Sequence, residues 1–183
     1  PARGQKVAVP REGFVARWHD VDAGGEVYRQ YGVALWRAQG AVEEASHAGR
    51  GPGEPLPVPV VLQGTGYSCG AAAFASVASH FDLDPADTEH EAMAALGTNP
   101  TDGTTPAAMV ALARRLGLEV EEREDLTLED ASYVLDQGVP VIAAVTLPGA
   151  ESHWVVVIGL GAEQGYLMDP NEVGNTSWPR AEW

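Results

Sequence analysis

The sequence predicts an α+β domain in which helices come first and antiparallel strands follow. Two observations carry that prediction. Between residues 68 and 138 four segments show helix start and stop signals, and from residue 140 the apolar pattern changes to short runs separated by Gly-containing turns. A block of helices followed by a block of strands fits an α+β arrangement and not an alternating parallel sheet.

Taken in order, Ser68 to about His80 is rich in alanine and reads as a buried helix with Cys69 in its first turn. Asp84-Pro85 is a capping residue followed by proline at the first helical position, predicting a helix to about Leu96. Thr105-Pro106 repeats the signal, and that helix runs to Leu116 with Gly117 as its stop. Thr127 caps a fourth helix that ends at Gly138. The strand-like runs are Pro140–Thr146, His153–Leu160 and Gly165–Asp169, and the connection Gly161–Gly165 has the length of a hairpin turn.

The first fifty residues give weaker signals. Phe14–Trp18 and Val27–Trp36 are apolar enough to be ordered, and Tyr28–Trp36 suits either a helix or a strand. Gly49 to Pro59 is dense in glycine and proline and reads as a linker or extended arm. Residues 1–55 are therefore expected to form an N-terminal extension and linker, and residues 56–183 the domain that carries the chemistry.

Composition narrows the function. A chain of 183 residues with 45% hydrophobic content can build one ordinary core. Its formal charge of −15 argues against a nucleic-acid partner, whose phosphates it would repel. The same acidity could steer basic peptides or simply keep the surface soluble. With one cysteine there is no internal disulfide and no multi-thiolate metal site. His19-Asp-Val-Asp22 has no complementary cluster and reads as a solvated loop, so neither metal nor cofactor is expected. Gly24-Gly25 reads as a turn. No charged start precedes an apolar core, and no run reaches the about eighteen apolar residues of a membrane span, so a cytoplasmic location is the expectation.

Cys69 is the candidate nucleophile. A thiol in the first turn of a helix meets the positive end of the helix dipole and free N–H groups, which favour thiolate. Gly70 leaves backbone room for a substrate carbonyl, and the Cys69 N–H could be one oxyanion donor. Gln63, ahead of a Gly-containing loop, could fold back to supply a second. The candidate base is His153. With the hairpin turn centred between Ala162 and Glu163, Asp169 falls opposite Val156, close to His153 once a bulge or slip is allowed. Trp154 could shield the imidazole, line the substrate groove or serve packing, and Ser152 joins Gly70 and Trp154 as a candidate substrate contact.

These residues form a recognisable series: Gln63-Gly-Thr-Gly-Tyr-Ser-Cys69-Gly, Gly103-Thr-Thr-Pro with Leu116-Gly-Leu118, Ser152-His153-Trp-Val-Val-Val, and Met168-Asp169-Pro170. The series resembles the C39 and C39-like double-glycine leader peptidases, bacterial cysteine peptidases of papain-like fold, over about residues 57–175. The resemblance implies a Cys69-His153-Asp169 triad with Gln63 as oxyanion side chain, acting on a peptide, with a Gly-Gly leader as its class of substrate. It also implies a membrane exporter as partner, which this chain does not encode. Two other functions share the same residues: an amide-forming acyltransferase or transpeptidase, and a non-catalytic peptide-binding module.

Overall fold

The computed structural model describes residues 5–21, 25, 27–37, 51, 53–83, 86–147 and 151–171. In chain order their elements are β1 (Gln5–Pro10), α1 (Arg11–Arg17), β2 (His19–Val21), β3 (Val27–Arg29), β4 (Gly32–Arg37), α2 (Cys69–His80), α3 (Glu89–Leu96), α4 (Pro106–Arg115), β5 (Leu118–Arg123), α5 (Leu128–Asp136), β6 (Val141–Leu147), β7 (Glu151–Leu160) and β8 (Gln164–Asp169). Helix and antiparallel sheet are thus combined. Six strands form one sheet in the order β1-β8-β7-β6-β4-β5, and β2 pairs with β3 in a small ribbon.

Apolar continuity explains which strands sit at the centre. In β6 and β7 nearly every described residue is buried, as expected of strands covered on both faces. The helices α2 and α5 both pack against β7. Helix α2 is buried all round from Gly70 to Ala78, and its alanines leave no bulk to hold it away from its neighbours. The outer strand β5, with the sequence LEVEER, is largely exposed, and its charges blunt a sheet edge.

The segment expected as an extension supplies part of this sheet. Strand β1 pairs antiparallel with β8, and β4 lies between β6 and β5 with Val33 and Leu35 fully buried. The stretch that suited helix or strand, Tyr28–Trp36, is therefore extended, broken at Gln30 where φ is +45°. The glycine- and proline-rich stretch forms a docked arm over its described part. Leu56 and Val58 are fully buried, and the Leu56 N–H donates to the Ile158 carbonyl at 2.7 Å.

One helical expectation shifts, and one strand is added. The helix expected from Asp84-Pro85 starts at Glu89, because the Thr88 hydroxyl accepts the Glu91 N–H and so caps a later turn. Asp84 and Pro85 themselves lie outside the described residues. Strand β5 had no counterpart in the sequence reading, since its charge-rich composition masks the alternation of Leu118 and Val120. The Thr105 cap of α4 and the Thr127–Asp130 capping box of α5 both form.

The β7–β8 hairpin fixes the candidate site. Near the turn Leu160 faces Gly165 and Gly159 faces Tyr166, but further on Val157 faces Leu167 and Val156 faces Met168. Ile158 is the extra residue, a bulge. Without it, Asp169 would lie opposite Val156 and project to the other face from His153. With it, the register carries Asp169 opposite Val155, on the His153 face, because side chains alternate with a period of two. The bulge leaves the Ile158 carbonyl to the arm's Leu56 N–H, so the irregularity carries no orphaned acceptor there.

Candidate active site

A buried imidazole is costly unless both ring nitrogens have partners. His153 is 3% exposed, and its Nε2 lies 2.8 Å from Oδ1 of Asp169, itself 2% exposed. The Asn171 N–H donates to the same carboxylate oxygen at 2.9 Å. The Cys69 thiol is the ring's other electrostatic neighbour. Burial alone pulls the His153 pKa down, but the Asp169 carboxylate bonded to the ring and the nearby Cys69 outweigh it. The net effect raises it from 6.5 to about 10.

Cys69 opens α2, whose preceding residue Ser68 makes no side-chain cap, and no acidic residue occupies the first turn. The Ser68 hydroxyl is engaged elsewhere: it accepts the Thr65 N–H at 3.1 Å, while Gln63 Nε2 donates to the Thr65 carbonyl at 2.9 Å. The helix N-terminus therefore keeps free N–H groups and its positive dipole end beside the sulfur. Gln63 is tied to the other half of the site by its backbone N–H, which donates to the Pro170 carbonyl at 2.9 Å. One of its two side-chain N–H groups is taken by Thr65, and its Oε1 is buried without a partner.

Sequence proximity and spatial role part company at Gly70. A Cβ there would come within 2.6 Å of Thr104 Cβ, 2.8 Å of Met109 Cε and 2.9 Å of Trp154 Cδ1. The glycine serves close packing of α2. Trp154 and Ser152 do line a groove of about 610 Å³ that includes Cys69. A second groove of about 480 Å³, between β4, β5 and α5, contains neither Cys69 nor His153.

Several groove features had no local signal in the sequence. The Ser152 hydroxyl donates to Oδ2 of Asp20 at 2.6 Å, joining β7 to β2 across 132 residues. The Thr146 hydroxyl donates to the His19 carbonyl at 2.7 Å beside it. The Tyr31 hydroxyl donates to Glu122 at 2.6 Å, and the Tyr31 ring meets those of Tyr28 and Trp154 edge-on. Burial, then that carboxylate, push the Tyr31 phenol well above its ordinary range. Only the Thr65–Ser68 turn, with two hydroxyl residues three apart, was readable locally.

A helix-tip thiol and a buried, hydrogen-bonded imidazole–carboxylate pair define a candidate thiol-dependent acyl-transfer centre. The chain belongs to the peptidase C39 family, a family of cysteine peptidases, whose family model matches residues 57–183. Searches among curated proteins and among solved structures found no match. The family match begins after β4, so the sheet includes two strands that precede it. Among the described residues no helix is long and apolar enough to cross a membrane.

Proposed function

We propose that this chain is an active cysteine peptidase of papain-like architecture, in which Cys69 is the nucleophile, His153 the base and acid, and Asp169 the group that orients the imidazole. The observation that carries the reading is the buried contact between His153 and the Asp169 carboxylate at 2.8 Å, with Cys69 near enough to act on the charge of the ring.

His153 takes the thiol proton of Cys69, and Asp169 holds the resulting imidazolium. The sulfur attacks the scissile carbonyl carbon, forming a C–S bond and a tetrahedral oxyanion. The Cys69 N–H and the uncommitted N–H of Gln63 stabilise that oxygen. Collapse breaks the C–N bond, and His153 delivers its proton to the leaving amine. Water then attacks the thioester, His153 takes its proton, and the acid product leaves as the thiolate returns.

Family membership supports a peptide substrate cut after a Gly-Gly leader, with a membrane exporter as the associated partner. A panel of fluorogenic peptides, with and without Gly-Gly before the scissile bond, tests both levels. Cleavage of Gly-Gly peptides by the wild type and none by Cys69→Ala is the expected result. If Cys69 reacts with iodoacetamide no faster than a free thiol and no peptide is cut, the binding-module reading replaces this one. If an added amine captures the acyl group in preference to water, the activity is acyl transfer.

A further inference from the structure

The groove beside Cys69 draws its walls from segments far apart in sequence. Its lining includes three carboxylates, Asp20 of β2, Asp102 of the α3–α4 connection and Glu122 of β5, and no Lys, Arg or His. Aromatic side chains of Tyr28, Tyr67 and Trp154 stand among them. From these we infer that the groove selects a cationic peptide, one with a lysine or arginine side chain close to the bond presented to Cys69. The inference rests on the peptidase reading and specifies its substrate class.

The three carboxylates differ in what they can offer. Asp20 is 6% exposed and committed, with Oδ1 accepting the Val21 N–H at 2.8 Å and Oδ2 accepting the Ser152 hydroxyl at 2.6 Å. It contributes charge to the groove floor while holding the β2–β3 ribbon against β7. Asp102 and Glu122 are exposed, and among the described residues neither forms an ion pair. Each is aligned by a neighbour: Asn99 Nδ2 donates to Asp102 at 3.3 Å, and the Tyr31 hydroxyl donates to Glu122. Both retain lone pairs for a ligand.

A metal ion would need such groups gathered at one point, yet no three His, Cys, Asp or Glu side chains among the described residues are so gathered. Carboxylates spread along a groove suit an extended chain carrying positive charge instead. The aromatic rings suit the same ligand, since Lys and Arg stems pack on apolar surface and their heads are attracted to ring faces. A concave wall of one sign also focuses the field of a protein with net charge −15. The β2–β3 ribbon and Tyr31, which precede the family match, thus take part in substrate choice through Asp20, Tyr28 and the Tyr31 contact to Glu122.

The test reads binding apart from turnover. Three labelled peptides, identical except for Lys, Gln or Glu on either side of a central Gly-Gly, are titrated by fluorescence anisotropy into full-length Cys69→Ala protein. Each partly exposed ion pair changes affinity about two- to fivefold, so the Lys peptide is expected to bind about tenfold more tightly than the Glu peptide at low salt. The ratio should shrink as salt rises. Adding Asp102→Asn with Glu122→Gln should cut the ratio about threefold or more. Adding Glu119→Gln with Glu129→Gln, two carboxylates outside the groove, should leave it in place. Equal binding of the three peptides, or an equal fall from the distant pair, overturns the inference. If the Lys peptide is preferred but the wild type cuts none of the three, the charge selection stands and the peptidase reading fails.

Discussion

The β7–β8 hairpin and the β1–β4 segment share one sheet but contribute to it in different ways. The hairpin carries His153 and Asp169 within seventeen residues, and its own bulge sets them on one face. The β1–β4 segment supplies neither of those groups nor Cys69, yet it closes the sheet beside β8, inserts β4 next to β6 and lines the groove with Asp20 and Tyr28. The imidazole and the carboxylate are thus compact in sequence, whereas Cys69 and their surroundings come from distant segments. The proposed site therefore depends on residues that precede the family match for its shape and charge.

The hardest test of that division removes residues 1–55. If the β1–β4 segment is integral, the remaining chain exposes the edge of β6 and the apolar neighbours of Val33 and Leu35. It should lose cooperative unfolding altogether, since β4 is an internal strand. A sharp thermal transition by circular dichroism in the truncated chain would make the segment an accessory. Inserting one residue between Leu167 and Met168 attacks the other side of the comparison. Asp169 would then fall opposite Trp154, on the other face from His153, and peptide cleavage should fall about 10⁴-fold, as for a triad without its correctly placed carboxylate. An insertion variant that keeps near wild-type kcat would mean that the chemistry does not depend on the face Asp169 occupies.

The same contrast explains what was legible. Helix caps at Thr105 and Thr127 are read from neighbouring residues, and they form as expected. The face of Asp169 was not readable, because one extra residue decides it and nothing near Ile158 marks the bulge; Gly159 is there because a Cβ would meet Pro55 Cα at 2.9 Å. Pro55 belongs to a stretch whose composition looked like a linker, and its docking depends on Leu56 finding a carbonyl a hundred residues later. Asp20 and Glu122 likewise have no local periodicity that connects them to Ser152 and Tyr31. Local chemistry is written locally, and long-range pairing is not.

Gln63 joins the end of the hairpin to the turn before α2, with its backbone on Pro170 and its side chain on the Thr65 carbonyl. Gln63→Ala removes a preorganised donor without removing the nucleophile, so acylation should slow about 100-fold. Single-turnover kinetics with a cleavable peptide measure it. A loss below about tenfold would take the side chain out of the oxyanion site and leave only its backbone role.

The smallest expected effect concerns proton linkage in the hairpin. His153 has a higher pKa folded, about 10, than its ordinary 6.5, so the native state binds the proton more tightly than the unfolded chain. The resulting stabilisation is complete below 6.5 and is lost as pH rises through about 10. Asp169→Asn removes the hydrogen-bonded carboxylate that opposes the burial penalty on the ring, so this share of the pH dependence should diminish. Urea midpoints measured for both proteins across that interval isolate it, because other groups titrate alike in the two chains. The wild-type midpoint should decline more steeply than that of Asp169→Asn. Parallel curves would mean that the carboxylate orients the imidazole without holding its proton, leaving Cys69 as the main source of the raised pKa.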